Sequence, residues 1–280
     1  MIPFITLSLR FPARVNLLPC SVAGKRGMED GMGLWNELEK WKSYNWVELS
    51  HTVDNDSPYW GAMGEGVIDL GKVIFDYDEE VLSCRIQTFK FPGQFGTHID
   101  FPVHFTPDKA AADEWGPRDL ALPLVVLDVS AKIAEDPEYA VTLDDVRAHE
   151  EAYGTIPAGS FVALRTDWSK RWPDNDALNN YDAEGGEHAP GWSLEVIKFL
   201  YEERGIYANG HETIDTDASK VAAAAEDLIC ERYVLDNGHV QLELMDNLDQ
   251  VPATGAIIFV AWPRIAGASG MPVRAWAVFD

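Results

Sequence analysis

Between Gly93 and Phe105 the sequence reads GQFGTHIDFPVHF, and two properties of that run narrow the structures open to it. The first is parity. Successive side chains of an extended backbone point to opposite faces. Thr97, Ile99, Phe101, Val103 and Phe105 share one side, mostly apolar, that can anchor in a core. Gln94, His98, Asp100 and His104 share the other and gather amide, imidazole and carboxylate groups. The second property is curvature. Gln94 to Asp100 would span roughly 20 Å if fully extended, too far for one metal shell. The segment must therefore curl before His98, and Gly93 and Gly96 permit it because glycine tolerates positive φ. Pro102 lacks a backbone donor and argues against a central strand running through it, which makes His104 a loop residue turned back over the site. Two histidines, an aspartate and flanking glycines this close together favour a metal site over an ordinary strand with satisfied histidines.

Mixed nitrogen and oxygen donors suit Mn²⁺, Zn²⁺ or Fe²⁺. The neutral amide of Gln94 favours Mn²⁺ over a structural Zn²⁺, and no cysteine cluster is present to build a closed zinc site. Cys20, Cys84 and Cys230 lie far apart, and their odd number argues against a disulfide scaffold and for a reducing compartment. The expected cofactor is one divalent ion, Mn²⁺ first and Zn²⁺ second, held by Gln94, His98, Asp100 and a distant carboxylate. An open position on such an ion binds water and lowers its pKa. His104 has the unperturbed pKa of a general acid or base.

Charge narrows the partners. A formal net charge of −24 over 280 residues speaks against nucleic acid and anionic membrane surfaces, leaving a small-molecule substrate. No apolar run approaches the roughly 20 residues of a membrane span, and the expected location is the cytoplasm. Residues 1–28 carry Arg10, Arg14, Lys25 and Arg26 and no acidic residue. Such a leader resembles an organelle transit peptide, with import as the alternative location. The preferred reading is a disordered leader or a start at Met28 or Met32, with residues 29–280 as the functional domain.

Along the chain, Leu34, Trp35, Leu38 and Trp41 recur at helical spacing. Asn45–Ser50 reads as a strand ending at His51, a structural histidine. A turn-rich loop then brings Trp60 forward as a candidate substrate contact. The segments 67–75 and 81–91 read as paired strands. Leu122–Val129 and Phe161–Thr166 read as buried strands, the second delivering Trp168, also a candidate substrate contact. Thr142 with Asp145 reads as a helix start and Gly154 as its end. Residues 173–192 read as a long loop of the kind that forms lids. Ser193 caps a helix ending near Gly205. Ile206–Ala208 reads as a strand, followed at once by His211, Glu212, Asp215 and Asp217. An alanine-rich helix is expected over Val221–Cys230, ending near Glu231. Strands are expected at Val240–Leu244, with Gln241 and Glu243 on one face, at Ala256–Trp262 and at Val273–Phe279, with a loop between the last two. The intermixing predicts a single-domain α/β fold, a mixed sheet with flanking helices.

The run from Gln94 to Phe105 resembles the signature His-x-Gly-Thr-His-x-Asp-x-Pro-x-His-Phe of the cyclase family of metal-dependent hydrolases, which includes kynurenine formamidases and isatin hydrolases. Leu49-Ser50-His51, Arg165-Thr166-Asp167-Trp168, Ile214-Asp215-Thr216 and the run from Glu243 to Pro252 look like further family segments, in the right order. The resemblance implies a swivelling β/β/α-type fold, a divalent metal, a homodimer or homotetramer, and hydrolysis of the C–N bond of an aryl formamide, amide or lactam. Arylformamidase activity in tryptophan catabolism to kynurenine is one form of it. It also implies that His98, Asp100 and Glu243 are metal ligands and that His104 is catalytic. Gln94 stands where the family carries its first histidine ligand, and Glu231, twelve residues before Glu243, where binuclear members carry another. These replacements point to a single-metal, oxygen-richer centre.

His211 is open to two readings, a proton shuttle or a cap on the turn after Ala208. Glu231 reads as a hydrogen-bond partner of the metal's water or as a salt-bridged helix end. Asp215 and Asp217 read as turn-forming or supporting groups, and His149 and His188 as solvent-exposed. Three functions stay open: metal-dependent amidohydrolase, the same site used for dehydration or cyclisation, and a non-catalytic metal- or ligand-binding homologue.

Overall fold

The computed structural model describes residues 33–78 and 82–280. The leader expected over residues 1–28 lies outside the described residues. Contacts divide the chain into two units, Met1–Lys40 and Trp41–Asp280. Helix α1 (Leu34–Lys42) begins in the first.

The second unit is built on eleven strands: β1 (Asn45–Glu48), β2 (Asp69–Asp78), β3 (Leu82–Lys90), β4 (His98–Asp100), β5 (Ala121–Asp128), β6 (Phe161–Arg165), β7 (Ala208–His211), β8 (Val240–Glu243), β9 (Ala256–Ala261), β10 (Gly270–Pro272) and β11 (Arg274–Phe279). Nine of them form one mixed sheet in the order β1-β11-β9-β5-β6-β7-β8-β4-β10. The middle runs parallel from β5 to β8, and the flanks are antiparallel. Strands β2 and β3 pair separately as a two-stranded hairpin. The helices after α1 are α2 (Ser130–Ile133), α3 (Leu143–Tyr153), α4 (Asn175–Asn179), α5 (Leu194–Lys198), α6 (Ser219–Ala225) and α7 (Ile229–Asp236).

Two cores explain the near-continuous apolar runs of β5 and β6, because both faces of these strands are buried. Leu124, Val126, Phe161 and Ala163 join Ile99, Leu242, Ile258 and Ala275 in one core, completed by loop residues such as Leu49, Phe101, Met245 and Leu248. Val125, Leu127, Val162 and Leu164 point the other way, onto Val146 of α3, Val196 of α5 and Val234 of α7.

The capping box at the start of α3 is present as read: Thr142 Oγ1 accepts the Asp145 N–H, and Asp145 Oδ2 accepts the Thr142 N–H at 2.8 Å. Several expectations need correction. The alanine-rich helix is two helices, because Glu226 ends α6 in the left-handed region at φ 54° and α7 restarts at Ile229. Glu231 therefore lies in the first turn of a helix rather than at its end. β7 runs on through His211, so that residue is a strand residue. The loop after β9 contains β10, and the long loop 173–192 contains α4. His149 is 7% exposed on the packed face of α3, not solvated. Among the described residues no helix is long and apolar enough to cross a membrane.

Candidate metal centre and cavity

Strand register assembles the site. β4 lies between β8 and β10, with His98 opposite Glu243 and Asp100 opposite Gln241. Directly opposed residues on a sheet face hold their side chains a few ångströms apart. His98 and Asp100 share a face through two-residue spacing, and Glu243 joins them across the strand pair. One donor atom from each lies within 4.8 Å of the other two. His98 Nε2 stands 3.5 Å from Asp100 Oδ2 and 3.3 Å from Glu243 Oε2. All three residues are buried.

The donor atoms are aimed by their neighbours. His98 Nδ1 contacts the Gly96 carbonyl at 2.9 Å, which fixes the proton there and turns the Nε2 lone pair inward. Gln94 donates to Asp100 Oδ1 at 3.1 Å, leaving Oδ2 free. Gln241 donates to Glu243 Oε1 at 3.0 Å, and Thr216 donates to Gln241 Oε1 at 2.7 Å. What remains is His98 Nε2 and Asp100 Oδ2, both buried without a hydrogen-bond partner. Buried polar atoms without partners are rare in folded proteins. A divalent cation fits this donor set, since it answers the inward lone pairs of one imidazole and two carboxylates together. Burial alone works against a His98 imidazolium, but the carboxylates of Asp100 and Glu243 outweigh it and hold its pKa well above the ordinary value. The same negative field favours a metal cation.

Gly270 faces Asp100 from β10, and any Cβ there would collide with the Gln94 amide nitrogen. The turn that brings Gln94 back passes through Gly96 at φ +58°, with Val53 packed where a side chain would project. The curl expected before His98 is thus present. Gln94's contact is a hydrogen bond to Asp100.

A cavity of about 350 Å³ opens over this centre, with Gln94, His98, Glu243, His104 and Glu231 in its wall. His104 sits on the 3₁₀ turn Pro102–His104 that follows β4, its Nε2 3.9 Å from Glu231 Oε1. Asp217 accepts the N–H of Cys230 at 2.9 Å and of Glu231 at 3.1 Å, so it pins the first turn of α7 and points Glu231 inward. Burial, then the charges of Glu243, Asp100, Asp215 and Asp217, push the Glu231 carboxyl well above the usual range.

The remaining candidates divide. Trp60 lines the cavity and is 59% exposed. Trp168 does not: it is 1% exposed, donates its indole N–H to Leu178 O at 2.9 Å, and lies under the Arg171 guanidinium. It supports the Leu178 segment, which does line the cavity. His211 is fully enclosed behind Glu243, 3.5 Å from Oε1, and no part of it lines the cavity. Both of its ring nitrogens are buried without a hydrogen-bond partner. His51 stacks on Trp172 with ring centroids 4.5 Å apart, in keeping with a structural histidine. Sequence reasoning missed the cavity-lining residues Leu178, Asn179, Tyr181 and Glu187. The length and composition of the 173–192 loop were the only signal for them.

The model of the Cyclase family matches residues 47–218. The chain belongs to the Cyclase family. It is 34% identical over 187 residues to an isatin hydrolase of Roseibium aggregatum, covering 65% of this chain and 70% of that one. Among solved structures, isatin hydrolase A from Ralstonia solanacearum superposes with a TM-score of 0.80 at 30% identity, over 91% of this chain and 100% of that one. Isatin hydrolase A from Labrenzia aggregata, bound to benzyl benzoate, gives 0.79 at 31% identity, over 88% and 99%.

Proposed function

We propose that this chain is a metal-dependent hydrolase that opens the C–N bond of an aryl lactam or amide of the isatin kind. One observation carries the reading: His98 Nε2 and Asp100 Oδ2, buried without hydrogen-bond partners, converge with Glu243 beside a cavity of about 350 Å³, a volume that suits a small aromatic molecule. The likeness to isatin hydrolases supports the substrate class.

His98, Asp100 and Glu243 would hold the ion, with Gln94 fixing Asp100. Their hard, oxygen-rich donor set favours Mn²⁺ over Zn²⁺. Bound there, the ion would supply Lewis acidity, polarising the scissile carbonyl and lowering the pKa of a water. The protein's own groups manage the protons. His104 accepts one from the attacking water as its oxygen bonds to the acyl carbon. Glu231, whose carboxyl burial and acidic neighbours hold above the usual range, is placed to return one to the departing nitrogen. Tyr59 and Trp60 place aromatic faces in the cavity wall, suited to stacking on a planar ring.

Elemental analysis with a hydrolysis screen of isatin and N-formyl anilines tests the reading. His98→Ala and Asp100→Ala are expected to lose metal and turnover together; metal content unchanged in both variants would sink it. We also propose a homo-oligomer joined through the β2–β3 hairpin, which exposes Ile74, Phe75, Tyr77 and Phe89. An isolated two-stranded hairpin is marginal in water, and such patches mark contact surfaces. Ile74→Glu with Phe89→Glu is expected to lower the mass measured by light scattering to that of one chain.

A further inference from the structure

The cavity has a second chemical signature that bond cleavage does not use. Glu187 and Asp215 stand in its wall beside Tyr181 and Asn179. The backbone sets Glu187 there: Tyr181 and Glu187 form an antiparallel bridge, and Asp182 Oδ1 accepts the N–H groups of Glu184 and Gly186 at 2.9 and 2.7 Å. His188, next along, points away, between Glu138 Oε1 at 3.2 Å and Asp182 Oδ2 at 3.1 Å. Alternation along the bridge turns Glu187 inward. Its Oε1 is buried and meets no hydrogen-bond donor. Among the described residues lining the cavity there is no Lys or Arg.

A buried carboxylate oxygen without a donor is a desolvation cost that a fold keeps where a ligand answers it. Here the missing donor has to come from whatever fills the cavity. We propose that Glu187, with Asp215, forms a specificity-determining subsite for a cationic nitrogen that the substrate carries away from its scissile bond. This rests on the lactam- and amide-hydrolase reading above and narrows its substrate class. Aryl lactams or amides with an amine arm are taken, and those bearing a carboxylate or phosphate are refused. Burial first, and the Glu243 charge second, push the Glu187 carboxyl up to about 7. Burial and then Glu187 raise Asp215, so the two carboxyls share one locality. An ammonium beside them would reverse both effects, because the opposite charge favours the carboxylate. Trp60 and Tyr59 at the mouth add aromatic faces that also attract a cation.

Three matched substrates test this on the metal-loaded enzyme: isatin, isatin with an aminomethyl group, and isatin with a carboxylate at the same ring position. The expected order of kcat/KM is aminomethyl, unsubstituted, carboxylate, with steps of roughly tenfold. In Glu187→Gln, which keeps the side chain's shape, the aminomethyl-to-isatin ratio is expected to fall about tenfold, carried by KM. Glu187→Asp is expected to recover part of it. A wild-type ratio near one, or a ratio that Glu187→Gln leaves unchanged, overturns the subsite. If none of the three is hydrolysed, the hydrolase reading fails on its own account. Quenching of tryptophan fluorescence then gives dissociation constants for the same compounds. The same order of affinity supports the subsite, and equal affinities or no binding overturn it.

Discussion

Two buried carboxylate nodes, one at Glu212 and one at Asp100 and Glu243, differ in what surrounds them. Glu212, 1% exposed, is complete: Thr166 donates its N–H at 2.6 Å and its hydroxyl at 3.0 Å to Oε2, and Ser169 donates to Oε1 at 2.9 Å. It ties the end of β6 to the segment after β7. The node of Asp100 and Glu243 is equally buried but unfinished, with Asp100 Oδ2 and His98 Nε2 left over. A carboxylate with its partners in place stabilises a fold, whereas one without them costs stability until a ligand arrives. Burial alone therefore does not mark a functional acid; at Asp100 the mark is an unanswered oxygen facing two other donor groups.

The sharpest way to break this contrast is to remove the same charge from each node. Asp100→Asn is expected to take turnover and bound metal below detection while leaving the metal-free protein folded. Glu212→Gln is expected to do the reverse. It loses charge-assisted bonds of about 1.5–3 kcal/mol each, seen as a fall in Tm of several degrees with kcat largely kept. Equal losses of activity and stability in both variants would erase the distinction. His104→Ala comes next, with turnover down about 10²–10³-fold and metal content unchanged by elemental analysis. If its metal is lost too, His104 belongs with the ligands.

The smallest effect concerns Glu187 and pH. Its carboxyl titrates near 7 in the folded protein, against 4.5 ordinarily. The native state thus holds this proton more tightly than the unfolded chain between those values. The stability it contributes is full below 4.5 and is lost as pH rises through about 7. Calorimetry of metal-free Glu187→Gln is expected to show a Tm raised by about 2–4 °C at pH 8 and little change at pH 4.5. The opposite pH trend would place the Glu187 oxygen in contact with a donor.

The resemblance carried by the Gln94–Phe105 run and its companions pointed to the right family, and the family model and the isatin hydrolase relatives agree with it. Local pattern also fixed the sides of the central strand, since His98 and Asp100 must share a face at two-residue spacing wherever the backbone is extended. It fixed the start of α3, where Thr142 and Asp145 satisfy each other within one turn. It did not fix the break at Glu226, because an alanine run favours helix and nothing local forces the left-handed residue. Trp168 looked like a pocket aromatic since it follows a strand end. Only packing revealed that its ring is core.

Sequence alone determined which chemistry the chain carries: an imidazole and a carboxylate on one side of a short strand, beside glycines that let it bend. Tertiary structure decided what that chemistry faces. The pairing of β4 with β8 put Glu243 opposite His98, and β10 gave Asp100 a neighbour, Gly270, with no side chain to crowd Gln94. The bridge between Tyr181 and Glu187 placed Glu187 in the cavity wall. The reason is one of range: side-chain parity is set by neighbouring bonds, whereas strand register and cavity walls are set by which distant surfaces bury one another.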